Sequence, residues 1–201
     1  MKHSISGHII IEDFIEKQGC SSDTDSMSVD GKLVFTSFCA QRFDSMASNP
    51  YTPAAYSWPS TFTKEQEQYL AGEIQRLITL LDLKTAVYNI EVRVAPDNKP
   101  YIMELTPRGG GNRLCEMLRY ATGVDLITAI TRCVVGDPML APIEQKPYNG
   151  HWAEVILHAD KTGAFQKMAI EKTPGMDVME EDLWVKPGDT FFVTFCNFSN
   201  A

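Results

Sequence analysis

The chain has 201 residues, 44% of them hydrophobic and 22% charged, enough to bury a core as one domain or a domain with an appendage. Its 26 acidic residues outnumber 18 basic ones, and a net charge of −8 excludes a non-specific nucleic-acid binder, which needs a basic footprint. No apolar run reaches the ~18 residues of a membrane span, and the N-terminal run Ile9–Ile11 is too short for a signal peptide.

The predicted elements follow in chain order. "GHIIIEDFI" has the β-branched run of a buried strand, and "KQGCSSDTDS" reads as a polar loop. "DSMSVDGKLVFTSFCAQ" carries Asp30-Gly31, a hairpin turn signal, between two strand-like arms. "RFDSMASNPYTPAAYSWPS" is irregular, and loops of this length tend to be functional or disordered. "STFTKEQEQYLAGEIQRLITLLDL" is the clearest helix. Thr63 and Gln66 form a capping box, and Leu70, Ile74, Leu77, Ile78 and Leu81 make one apolar stripe. Two shorter helices follow, "NRLCEMLRYATG" ending at Gly123 and "VDLITAITRCVVGDP" stopping at Gly136 and Pro138. From about Pro138 the texture changes. "HWAEVILHA", "FQKMAIE" and "DTFFVTFCN" read as short strands between Gly-containing turns. The five cysteines are scattered, odd in number and without C-x-x-C pairing, which points to reduced thiols and a cytoplasmic setting. The four histidines lack zinc-ligand spacing.

The stretch richest in chemistry is "NIEVRVAPDNKPYIMELTPRGGGN", two short strands around a turn. Side chains alternate along a strand, so Asn89, Glu91 and Arg93 share one face, and Ile102, Glu104 and Thr106 share one on the second arm. A two-residue turn at Asp97–Asn98 sets Glu91 directly opposite Glu104. Opposed like charges are destabilising. Either a divalent cation compensates them, or the true register differs and the acids never meet. Mg²⁺ is commonly held by one or two carboxylates plus substrate phosphates. Arg108 and Gly109–Gly111 follow at once. Arginine offers bidentate donors to phosphate, and glycines let backbone N–H groups approach an anion. Together these residues look like a metal–phosphate site.

This pattern, a strand "NIEV", a hairpin, then "IMELTPRGGGN", resembles the metal-binding signature of the ATP-grasp superfamily, nearest to its carbamoyl-phosphate-synthase-like carboxylate–amine ligases. The resemblance extends over roughly His8–Gly136. It departs from the family at Thr106, where Asn is usual, and at Cys20–Ser22, where members often carry Glu or His. It implies an α+β fold: an ATP-grasp C-terminal subdomain over residues 1–137, with helices packed on an antiparallel sheet, and a small β-rich appendage over 138–201. The implied chemistry is ATP-dependent ligation of a carboxylate to an amine or thiol through an acyl phosphate, with Mg²⁺ or Mn²⁺. Glu91, Glu104 and, more weakly, Thr106 would hold the metal. Arg108 would bind the transferred phosphoryl, and Asn112 and the glycines would shape the acceptor side. "HIIIEDFIEKQG" looks like the family's hinge strand, placing Glu12, Asp13 and Ile15 beside the adenine. Arg42 reads as a further phosphate contact or as an exposed surface residue, and Tyr51, Tyr56 and Trp58 as substrate neighbours or as packing. The expected partners are ATP and small carboxylate and amine substrates, with no nucleic acid and no membrane; a homodimer is compatible. The resemblance begins at the hinge and the end stops short of a full β domain, so the chain reads as the C-terminal part of a longer enzyme, inactive alone. A non-catalytic scaffold of the same fold and an ATP-grasp phosphotransferase are the alternatives.

Overall fold

A computed structural model describes residues 4–16, 21–44, 50–137, 143, 147–148, 150–159, 161–171 and 174–191. The chain forms two compact units, Met1–Arg42 with Ala55–Val155, and Phe43–Ala54 with Ile156–Ala201.

The first unit is organised by β1 (Ser21–Val29). β5 (Ala86–Val94) pairs antiparallel along almost its full length, from Ser21–Arg93 to Ser28–Ala86. On its other edge β1 meets β2 (Lys32–Thr36) and β3 (Ala40–Phe43), both antiparallel. The sheet runs β6 (Pro100–Thr106), β5, β1, β3, β4 (Pro53–Trp58), β7 (Trp152–Val155), with β2 beside β1. Asp30 and Gly31 have φ of 48° and 80°, the two left-handed residues that a tight turn between β1 and β2 requires.

A helical layer covers each face of this sheet. α1 (Lys64–Leu80) starts at the expected capping box, with Thr63 Oγ1 accepting from Gln66 N and Gln66 Oε1 from Thr63 N. Its stripe Leu70, Ile74 and Ile78 is fully buried against Tyr88, Ile90 and Val92. Leu81, expected in that stripe, is exposed at the helix end. On the opposite face α2 (Leu114–Thr122) and α3 (Leu126–Val134) pack Leu118 and Leu126 on Met27, Phe35 and Val87. Gly123, at φ 76°, ends α2, and Asp125 caps α3 by accepting from Thr128 N at 2.9 Å. The fold is thus α+β, an antiparallel sheet with packed helices.

Four expectations change. "GHIIIEDFI" is not a strand: Ile9, Ile10 and Ile11 are 63–90% exposed, because no described strand pairs with the segment. "SSDTDS" is no loop but the first six residues of β1, nearly all buried. Central position satisfies its backbone, and two of its hydroxyls find partners: Ser22 Oγ accepts from Cys39 N at 3.0 Å, and Ser26 Oγ bonds Thr36 Oγ1 at 2.8 Å, while Ser21 Oγ is buried without one. Within "RFDSMASNPYTPAAYSWPS", β4 forms and buries Tyr56 and Trp58 in the sheet. Residues 45–49 lie outside the described residues. "FQKMAIE" forms no strand; the second unit contains β8 (Gly163–Ala164) paired with β9 (Thr190–Phe191), a ribbon too short to support more without a packed layer. The remainder of "DTFFVTFCN" beyond Phe191, and Pro138, lie outside the described residues.

Candidate active site

One sheet face changes character along the strands. At the end covered by α2 and α3, Met27 pairs with Val87, both apolar. Two residues on, Asp25 pairs with Asn89; two more on, Asp23 pairs with Glu91. β6 extends both rows, with Thr106 opposite Asn89 and Glu104 opposite Glu91. Three acids, Asp23, Glu91 and Glu104, therefore lie in one row across three strands.

The facing of Glu91 and Glu104 arises by a route that spacing alone does not reveal. The turn has three residues, Pro96–Asn98, closed by Ala95 N donating to Lys99 O, with Asn98 left-handed at φ 64°. That shifts the register by one. A bulge opposite Glu91–Val92, where Met103 is the extra residue, shifts it back. The bulge also breaks strict alternation: Ile102 packs with Leu105 on the α1 side and does not share the face of Glu104.

Electrostatics in the row are tense. Glu91 has Arg93 at 3.6 Å, a buried arginine that also donates to Ile15 O at 2.7 Å. Asp23 accepts from Asn89 Nδ2 at 2.6 Å and from Tyr56 Oη at 3.3 Å. Burial, joined by the charges of Asp25 and Glu91 and only partly offset by those two donors, raises its carboxyl to about 6. On β7, Glu154 pairs with Tyr56 and has a buried Oε2 with no hydrogen-bond partner. Burial and the nearby Glu116 raise it to about 7, against the pull of Arg113.

The glycine loop sits beside this row and is packed tightly. A Cβ on Gly110 would come 2.6 Å from Leu114 Cδ2 and 2.9 Å from Asn89 Nδ2, and one on Gly109 2.9 Å from Cys115 Sγ. A Cβ on Gly111 would meet open space. Gly110 N donates not outward but to Asp25 Oδ1, at 2.9 Å. Asp25 is fully buried; Asn89 Nδ2 also reaches its Oδ1, at 3.1 Å, and Cys115 Sγ its Oδ2, at 3.0 Å.

The structure thus gathers Glu91, Glu104, Thr106 and Arg108 on the hairpin and its exit. Thr106 Oγ1 donates to Asn89 O at 3.3 Å, and exposed Arg108 folds its Nη1 onto Gly109 O at 2.8 Å. Asn112 is exposed, with φ of 52°, on the approach to α2. Arg42 is exposed on β3. Glu12 and Asp13 are exposed in the unpaired N-terminal segment, and among those three expected adenine neighbours only Ile15 is bonded to the hairpin. Spacing did not pick out Asp23, Asp25, Cys115 or Glu154; the available cue was that Asp23, Asp25 and Met27 alternate like one face of a strand.

Among the described residues no group of three or more His, Cys, Asp or Glu side chains is placed to hold a metal ion. Glu91 and Glu104 supply a pair of hard oxygen donors, which suits a Mg²⁺ ion that keeps waters and substrate phosphates as its other ligands. Among the described residues no helix is long and apolar enough to cross a membrane.

No protein-family model matches the chain. A stretch of 97 residues is 27% identical to carnosine synthase 1 of Gallus gallus, covering 48% of this chain and 10% of that protein. Among solved structures, phosphoribosylglycinamide synthetase from Anaerococcus prevotii superposes with a TM-score of 0.70 at 19% identity, covering 88% of this chain and 44% of that one. L-amino acid ligase from Bacillus licheniformis gives 0.60 at 17% identity, over 77% of this chain and 37% of that one. The biotin carboxylase domain of the Hydrogenobacter thermophilus 2-oxoglutarate carboxylase, solved with MgADP and bicarbonate, gives 0.59 at 15% identity, over 86% and 38%. The chain spans less than half the length of each of these proteins. At such identities the likeness to solved structures fixes the fold and nothing finer.

Proposed function

We propose, from the ATP-grasp fold that the chain carries, that it is part of an ATP-dependent ligase joining a carboxylate to an amine or a thiol. The observation that carries this reading is the direct pairing of Glu91 with Glu104 at the mouth of the Arg108–glycine loop. Two opposed carboxylates are costly unless a cation joins them, and phosphates are the other ligands such a cation commonly takes.

In this reading Glu91 and Glu104 hold Mg²⁺ or Mn²⁺, with Thr106 as a weaker third oxygen. The ion, when bound, supplies charge neutralisation at the nucleotide phosphates. Arg108 leaves Gly109 O and binds the phosphoryl group in transfer, where its planar fork matches the developing charge. The substrate carboxylate displaces ADP to give an acyl phosphate; the amine or thiol then attacks the acyl carbon, phosphate leaves, and the nucleophile's proton is lost. Asn112 faces the acceptor side. Glu12, Asp13 and Ile15 line the adenine, and Arg42 adds a phosphate contact. The chemistry is largely positioning and electrostatics, which suits a preformed hairpin and a tightly packed loop.

Mn²⁺ binding followed by electron paramagnetic resonance tests this. The wild-type chain should take up Mn²⁺ saturably. Glu91→Gln and Glu104→Gln should each weaken uptake by about tenfold or more, since even the outer partners of metal ligands commonly cost that much. Uptake indifferent to both substitutions removes the metal site and the reading with it.

A further inference from the structure

Asp25 lies outside the carboxylate row, and its bonds run to the loop rather than to any open space. One oxygen accepts from Gly110 N at 2.9 Å and Asn89 Nδ2 at 3.1 Å; the other accepts from Cys115 Sγ at 3.0 Å. These donors belong to three parts of the chain: β5, the loop after β6, and the first turn of α2. Asn89 also donates to Asp23 at 2.6 Å, so the same amide links the loop to the acid row. Gly109 and Gly110 have no spare room against Cys115, Leu114 and Asn89, so the loop has one place to sit.

We propose that Asp25 is the positioning residue of this site: its buried carboxylate holds Gly110 and, through it, sets where the Arg108–Gly111 loop stands relative to Glu91 and Glu104. This rests on the ligase reading for what the loop binds, but not for the loop's attachment. Fixing the loop from beneath leaves Arg108 at the surface, its Nη1 on Gly109 O and its charge felt by Asp25, and able to turn to an anion. The carboxylate acts as an acceptor here, not as a charge for the ligand.

The test pairs two substitutions. Asp25→Ala removes every acceptor. Asp25→Asn keeps a carbonyl oxygen for Gly110 and Asn89 and turns its amide to the Cys115 sulfur, a weak acceptor. Gly110 amide hydrogen exchange, read by NMR, should be slow in the wild type, faster by about tenfold or more in Asp25→Ala, and close to wild type in Asp25→Asn; that factor matches a hydrogen bond to a charged group. Magnesium tripolyphosphate should shift the Gly109–Gly111 amides in the wild type and Asp25→Asn, and not in Asp25→Ala. An unprotected Gly110 amide in the wild type overturns the proposal even if Asp25→Ala does not fold, as does an Asn variant as impaired as the Ala one. If tripolyphosphate shifts nothing in any form while the exchange pattern holds, the ligase reading fails and the attachment of the loop by Asp25 stands.

Discussion

Asp23 shows at the scale of one residue what the row costs. Its carboxyl titrates near 3.8 when exposed and near 6 in the fold, because burial and the charges of Asp25 and Glu91 outweigh the Asn89 and Tyr56 bonds. A carboxyl whose folded value is raised contributes stability that is complete below the unfolded value and lost as pH rises through the folded one. Asp23 should therefore make the chain less stable between pH 4 and 6, by at most about 3 kcal/mol for a two-unit shift. Glu154, raised from 4.5 to about 7, adds to the same slope at a slightly higher pH. Urea unfolding of the metal-free chain at a series of pH values should show this decline, to which Asp25, also raised by burial, adds, and Asp23→Asn should flatten part of it. An unchanged slope in Asp23→Asn would mean that the row is relaxed by solvent. The decline also explains why a cation would be welcome: the fold holds acids together at a pH where they resist it.

At the scale of the element, the loop after β6 and the hairpin before it differ in how far they can be read from sequence. Gly110→Ala should destabilise the fold by about 1–3 kcal/mol, the usual cost of overpacking, since the new methyl meets Leu114 and Asn89. Gly111→Ala should be nearly neutral, since its methyl enters open space. Equal effects in urea unfolding would refute the packing account of the glycine run. Neither outcome follows from "GGG" as letters, which are alike; what separates them is a helix and a strand that meet from opposite sides. α1 was legible because its signals are local, a capping box at Thr63–Gln66 and a three- and four-residue stripe. The Glu91–Glu104 pairing was legible only because a longer turn and a bulge cancel. β1 was not legible at its start, because "SSDTDS" has a loop's composition and becomes a strand by lying between β5 and β3. The N-terminal "HIII" failed in the reverse direction, with a strand's composition but no described strand beside it. Asp25 and Cys115, 90 positions apart, meet only in the fold.

For the whole molecule, charge decides how a nucleotide could approach. The chain carries −8, and the face that would receive phosphates holds Asp23, Glu91 and Glu104 in register, with Asp25 beneath the loop. Arg93 beside Glu91 and exposed Arg108 together do not offset that row for a triphosphate, since exposed charge pairs are worth little and like charges repel over a Debye length of ~10 Å at 0.1 M salt. ATP should therefore bind only with a divalent ion present, and in the isolated chain only weakly. An affinity in the millimolar range, ~4 kcal/mol, is the expectation, because the acid row repels the triphosphate that the cation and Arg108 attract. Titrating ATP into the chain by NMR, with Mg²⁺ and then with a chelator, separates the contributions. Shifts at Glu91, Glu104 and Gly109–Gly111 should appear with Mg²⁺ and vanish with the chelator. Glu91→Gln with Glu104→Gln should reverse the pattern, abolishing the Mg²⁺-dependent shifts while easing metal-free binding by removing two like charges. ATP that binds equally well in chelator would show that Arg108 and the loop capture phosphate unaided, and that the carboxylate row serves another purpose.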